Sequence, residues 1–259
     1  MSSGFEGDAV TDDELLTGGH ASGAVVRVGA TVRKPWTPAS TSVMAFMTAV
    51  REAGVDVPAP LGRDEHGRAM FEYVPGQLAL DADPLSRDEL HRVGALVRSI
   101  HDASESFVPP PDAHWMTAIP TPGDDLVCHN DLAPWNLLIG ERWVFIDWDA
   151  AAPSTRLWDL AYAAQAFTLS DPGRDPDSAA CDLAAFIDGY GADAALRRAL
   201  PATMVQRTDA MLALLADSHE NGVEPWSSMF VEGHGAHWGA VSTYVRRHER
   251  MWAEALRVP

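Results

Sequence analysis

The chain has 259 residues, 46% of them hydrophobic, and sets 19 Lys and Arg against 37 Asp and Glu for a formal net charge of −18. Such a surface repels nucleic acid and anionic membrane, which excludes polyanion binders as partners, and it favours a cationic ligand. No apolar run is long enough to span a bilayer, no signal-peptide pattern opens the chain, and two cysteines (Cys128 and Cys181) are too few for a disulfide framework, so a cytoplasmic protein is expected.

In chain order, residues 1–12 are polar and acidic and read as a loose tail. Residues 14–17 and 24–28 read as strands flanking Gly18-Gly19-His20-Ala21-Ser22-Gly23. Glycine there lets backbone N–H groups approach phosphates, which makes Gly19, Ser22 and Gly23 nucleotide-binding candidates. Residues 31–35 form a third strand bearing Arg33 and Lys34, of which period-2 alternation puts only one on a given face. Val43, Phe46, Met47 and Val50 recur at helical spacing, in a helix begun near Ser40 or Thr41 and ended by Gly54. Residues 69–74 read as a strand running into Pro75-Gly76. Ser86-Arg87-Asp88-Glu89 is a capping box opening a helix with Leu90, Val93, Leu96, Val97 and Ile100 on its core face. The last third is helical: Leu183, Phe186, Ile187 and Tyr190 make one apolar face, Pro201 starts a helix ending near Asn221-Gly222, and a final helix covers about 238–256.

The densest signal lies between these halves. Cys128-His129-Asn130-Asp131-Leu132-Ala133-Pro134-Trp135-Asn136 places His, Asp and Asn at H-x-D-x-x-x-x-N spacing, and Asp147 closes a short apolar strand further on, in Phe145-Ile146-Asp147-Trp148-Asp149. Residues 137–140 and 143–146 read as a hairpin that returns Asp147 to the loop carrying Asn136. Phosphoryl transfer needs one carboxylate to orient a hydroxyl nucleophile, plus an amide oxygen and a second carboxylate to hold Mg²⁺ on the phosphates. Asp131 suits the first role; Asn136 and Asp147 suit the second.

At these residues the chain resembles the aminoglycoside phosphotransferases and their relatives, small-molecule kinases with a protein-kinase-like fold. H-N-D-L-A-P-W-N and I-D-W-D look like that family's catalytic and metal loops, and Arg156-Leu157-Trp158-Asp159-Leu160-Ala161 resembles the segment whose Asp braces the catalytic loop. The resemblance implies an α+β, bilobal fold: a small antiparallel-sheet lobe with one helix over residues 1–76, and a larger, mainly helical lobe over 77–259. It implies ATP, with GTP as the alternative nucleotide, and Mg²⁺. It places adenine against the backbone near Glu72 to Val74, and it makes His129 and Asp159 supports and Asp149 an auxiliary carboxylate. The family register over residues 30–33 favours Arg33 as the phosphate-binding cation, with Lys34 as runner-up. One departure stands out: the family carries a Glu early in the 40–54 helix, where this chain has Ser40, Thr41 and Ser42. Acidic residues of the last third, Asp171, Asp175, Glu220 and Glu224, are acceptor-site candidates.

The expected function is therefore ATP- and Mg²⁺-dependent phosphorylation of a hydroxyl on a small molecule, an aminoglycoside-like or other antibiotic, by a monomer or homodimer. A kinase of a metabolite such as choline or a sugar amine is the alternative. A nucleotide-binding pseudokinase, prompted by the missing helix Glu, and a two-metal phosphoesterase are the rivals from other classes; the latter lacks the His and Asp ligands such a site needs.

Overall fold

The structure, a computed structural model, describes residues 14–16 and 25–257. The tail 1–12 and the glycine-rich stretch 18–23, with Gly19, Ser22 and Gly23, lie outside them. The small lobe begins with strands β1 (Glu14–Leu15), β2 (Val26–Val28) and β3 (Thr31–Lys34). Helix α1 (Ser40–Glu52) and strands β4 (Pro60–Arg63) and β5 (Ala69–Glu72) complete it. The strands form one antiparallel sheet in the order β1-β2-β3-β5-β4. Helix α1 buries Val43, Phe46, Met47 and Val50, the stripe its spacing dictates, and Gly54 follows it at a φ of 92° that favours glycine.

Strand β6 (Gln77–Leu78) leads into α2 (Arg87–Ser104), whose capping box forms as the sequence specifies: Glu89 N–H donates to Ser86 Oγ, and Ser86 N–H donates to Glu89 at 2.8 Å. Then come β7 (Leu126–Cys128), β8 (Leu137–Ile139), β9 (Val144–Phe145) and β10 (Ala152–Ser154). Strand β10 pairs with β7, while β6, β8 and β9 form a second small sheet that fastens the linker to the catalytic hairpin. The helices α3 (Arg156–Thr168), α4 (Pro176–Tyr190), α5 (Ala194–Asn221), α6 (Trp226–Met229), α7 (Gly235–Arg247) and α8 (Glu249–Ala255) build the rest. The closest helix pair is α2 on α4. A Cβ on Gly94 would stand 2.0 Å from Phe186 O, and one on Gly189 would stand 1.9 Å from His91 O, so the two backbones meet where only glycine fits.

Two expectations fail here. Pro201 does not start a helix; it sits inside α5, which begins at Ala194, where Asp193 caps Ala195 and Leu196 N–H at 2.9 and 2.8 Å. Pro201 is the eighth residue of the helix and forfeits its own backbone bond there, a loss offset by burial of the face around it, Leu200, Met204, Met211 and Leu215. The last helix is also not continuous. It breaks at His248, and Trp252 folds back across the break to donate from its indole to Val245 O at 3.0 Å. Among the described residues no helix is long and apolar enough to cross a membrane.

Candidate active site

Strand β7 carries the chain into the core, and Asn130 then turns it with a left-handed φ of 64°. A non-glycine residue holds that conformation only where its surroundings over-determine it. They do: Asn130 Nδ2 donates to Ala150 O and Ala152 O, both at 3.2 Å, and Asn130 N–H donates to Asp159 Oδ1 at 3.0 Å. Asp159, in the first turn of α3, also bonds His101 Nε2 at 3.1 Å, and His101 Nδ1 meets the Tyr190 hydroxyl at 2.9 Å. Helices α2, α3 and α4 thus grip one turn of the loop. Cys128 and His101 lie against Asp159, and burial pushes the Cys128 thiol well up, which leaves it unreactive.

His129 is fully buried, and that burial holds its pKa below the usual range despite the Asp159 charge. Its Nε2 faces Ile146 O at 3.1 Å and must donate; its Nδ1 faces Asp131 N–H at 3.3 Å and must accept. The partners therefore assign a neutral ring that ties the catalytic loop to the strand running into Asp147.

Asn136 Nδ2 donates to Asp131 O at 2.9 Å and Oδ2 at 2.7 Å. Its carbonyl accepts from Ile146 N–H at 2.8 Å, so the β8–β9 hairpin returns Asp147 to the loop, as the motif spacing requires. Asp147 is again left-handed, with a φ of 57°. With its amide nitrogen committed, Asn136 keeps Oδ1 for a cation, and beside it stands the Asp147 carboxylate; these hard oxygens fit Mg²⁺. Burial first, and the Asp147 charge second, lift the Asp131 carboxyl to about 7, against the Tyr162 hydroxyl, the hydrogen bond of Asn136 and the charge of Arg207.

The cation facing this loop from the small lobe is Lys34. Its Nζ stands 3.1 Å from Asp147 Oδ1, 2.6 Å from Asp149 Oδ1 and 5.1 Å from the Phe71 ring. Burial works against its charge, but the two carboxylates prevail and raise its pKa. Arg33 lies 3.3 Å from Asp64 Oδ2. The strand alternation holds, while the register that favoured Arg33 is displaced by one residue.

At the linker, Glu72 N–H donates to Ala59 O and Tyr73 N–H to Ala30 O, both at 2.9 Å. The Glu72 side chain accepts from Ala59 N–H and pairs with Arg142. Both groups of Glu72 are thus engaged in the fold, and Val74 is buried beside them. The four acidic acceptor candidates are all exposed. Asp171 closes a turn onto Gly173 N–H, Asp175 caps α4 through Ser178 N–H, and Glu224 accepts from Ser228 N–H, so these three serve local structure.

The wall beside Asp131 is made of residues that the sequence did not single out as site residues. Tyr162 holds its hydroxyl close to Asp131 and favours the charged form of that carboxyl. Its ring packs edge-on against Trp135 at 6.4 Å, stacks on Trp238 at 6.3 Å and lies 4.1 Å from Arg207 Cζ. Arg207 is 5% exposed, donates to Asn130 O at 3.4 Å, and has no protein partner for Nη1 among the described residues. The legible trace is spacing: Tyr162 falls one turn after Asp159, and Arg207 interrupts the buried stripe of Met204 and Met211.

Comparison with known proteins accords with this geometry. Residues 112–203, which hold the catalytic loop, Asp147 and Asp159, match the model of a phosphotransferase enzyme family. The trifolitoxin immunity protein of Rhizobium leguminosarum bv. trifolii is 29% identical over 162 residues, covering 60% of this chain; the chain spans 61% of that relative's length. Among solved structures, an amicoumacin kinase with AMP-PNP and Ca²⁺ superposes with a TM-score of 0.68 at 13% identity, covering 91% of this chain and 88% of its own. A microcompartment-associated aminopropanol kinase gives 0.65 at 16%, covering 98% and 96%. A choline/ethanolamine kinase family protein from Mesorhizobium loti gives 0.61 at 17%, covering 96% and 94%. The fold is that of the protein-kinase-like small-molecule kinases. The likeness to that phosphotransferase family model is carried by residues 112–203.

Proposed function

We propose that the protein is an ATP- and Mg²⁺-dependent phosphotransferase acting on a hydroxyl group of a small molecule. The observation that carries this reading is the convergence of Asp131, Asn136 and Asp147 on one loop and hairpin, with Lys34 facing them from the small lobe. Asn136 and Asp147 would hold the metal, which when bound supplies charge neutralisation on the phosphates. Lys34 binds phosphate oxygens, and Asp131 accepts the proton of the acceptor hydroxyl as that oxygen attacks in line. A carboxyl poised near neutrality suits that exchange. His129 and Asp159 hold the loop. The nucleotide and divalent ion bound to the amicoumacin kinase of the same fold support this cofactor pair, and GTP remains the alternative nucleotide.

For the acceptor, a hydroxyl-bearing antibiotic is the reading supported by similarity to an immunity protein and to a kinase named for amicoumacin. A small amino alcohol is the second reading, supported by the aminopropanol and choline/ethanolamine relatives of the fold. The net charge of −18 suits a cationic acceptor under either. A panel of hydroxylated antibiotics and amino alcohols, followed by ADP release with and without Mg²⁺, tests both. Acceptor-dependent turnover that needs Mg²⁺ is the expected result. Turnover on neutral acceptors alone would remove the charge argument, and nucleotide binding without turnover on any acceptor would favour a pseudokinase.

A further inference from the structure

Helix α1 has no acid in its first turn. The residues there, Ser40 and Ser42, are buried and occupied: Ser40 Oγ accepts from Thr37 N–H and Ser42 Oγ from His114 N–H, both at 2.9 Å. In protein kinases an acid on this helix pairs with the strand cation, and moving the helix makes or breaks the pair. Here the ion partners of Lys34 among the described residues are Asp147 and Asp149, both on the turn after β9 in the large lobe, and the shorter contact is to Asp149.

That turn is built to present Asp149. Asp147 reverses the chain in a left-handed conformation, and a single 3-10 turn, Trp148–Ala150, follows, closed by Ala151 N–H onto Trp148 O at 3.0 Å. Trp148 is 2% exposed; its indole donates to Phe145 O at 2.9 Å, and its ring packs 4.6 Å from His129 and 5.7 Å from Phe46 of α1. Helix α1 therefore reaches the site through an apolar wedge, and the ionic link that its first turn lacks comes from the residue after the wedge. Asp147 also touches Lys34, but it is the carboxylate that fits the metal. Asp149 is two residues further on and makes the 2.6 Å bond.

We propose that Asp149 is the positioning residue that aims Lys34 at the nucleotide phosphates, in place of an acid on α1. This rests on the nucleotide-binding reading above. It makes the phosphate-binding cation an appendage of the large lobe's metal turn, so that cation and metal carboxylate are set together and rotation of α1 is not the control point.

The test is ATP affinity measured in EDTA, so that no metal contributes, for wild type, Asp149→Asn, Lys34→Met and the double variant, with adenosine as a ligand that lacks phosphates. With Lys34 present, Asp149→Asn should weaken ATP roughly tenfold, and Asp149→Glu should recover most of the loss. With Lys34→Met, Asp149→Asn should leave ATP binding unchanged or tighter, because only repulsion is removed. Adenosine affinity should be the same in all of them. An equal effect of Asp149→Asn in both backgrounds would overturn the proposal and leave Asp149 as bulk charge or metal ligand; so would loss of adenosine binding in Asp149→Asn alone. If wild type bound neither ATP nor adenosine, the nucleotide reading itself would fall, and the proposal with it.

Discussion

The segment from Leu126 to Asp159 and the wall formed by α3, α5 and α7 meet at Asp131, yet they are held by different physics. In the segment, buried polar groups are tied to one another: His129 between two backbone groups, Asn130 on two carbonyls and Asp159, Asn136 on Asp131, with Asn130 Oδ1 and Ser154 Oγ left without a protein partner among the described residues. In the wall, the contacts are aromatic, Trp238 on Tyr162, which also meets Trp135 of the segment, with one guanidinium that keeps a hydrogen-bonding nitrogen unmatched. A buried polar network tolerates one arrangement, because every orphaned group costs about 1–3 kcal/mol. An aromatic wall is less exacting, which suits the side that must accept a variable partner. Under the proposed function, the difference puts the chemistry in the segment and leaves specificity free to vary in the wall.

That contrast predicts where substitutions bite hardest. Asn136→Ala and Asp147→Asn should lower turnover by about a thousandfold or more, as expected for loss of metal-held phosphates, while the far-ultraviolet circular dichroism stays unchanged. Wall variants such as Trp238→Leu should act mainly on acceptor KM; equal losses in both regions would erase the distinction. Below these in size, Asp159→Ala removes the partner of buried His101 and of Asn130 N–H, and should cost about 3 kcal/mol in denaturant unfolding together with turnover. Gly189→Ala, remote from the site, should cost about 2 kcal/mol through its overlap with His91 O, and should leave KM values alone.

The smallest effect is in pH. In its proposed role Asp131 accepts a proton only when ionised, and its carboxyl is lifted to about 7. Turnover should therefore fall tenfold per unit as pH drops below about 7, where an unshifted aspartate would hold the rate level to about pH 4. Tyr162→Phe removes a hydroxyl that favours the carboxylate, so the acid limb should move upward by at most about one pH unit. A profile flat from pH 5 to 8 would show that Asp131 is not the titrating group.

The same contrast explains what could be read from the sequence. The segment is legible because its parts lie within about one loop and one hairpin of each other, so spacing stands in for geometry: His129, Asp131, Asn136 and Asp147 come together as their intervals imply. The apolar stripe of α1 and the capping box of α2 were legible for the same reason of local periodicity. Choosing between Arg33 and Lys34 needed the phase of a four-residue strand, which alternation alone leaves open. The wall was less legible: Tyr162 and Arg207 leave only a local trace of spacing, and Trp135, Tyr162, Arg207 and Trp238 are scattered over a hundred residues with no shared interval. The acidic acceptor candidates Asp171, Asp175 and Glu224 make cap and turn bonds, a role that Asp and Glu often fill.

The most direct measurement is transfer of label from [γ-³²P]ATP to a responding acceptor, run beside ATP binding, for wild type and Asp131→Ala. The account predicts labelled acceptor with wild type only in the presence of Mg²⁺. It predicts at least a hundredfold loss in Asp131→Ala, with ATP affinity changed by no more than a few-fold. Undiminished labelling by Asp131→Ala would contradict it.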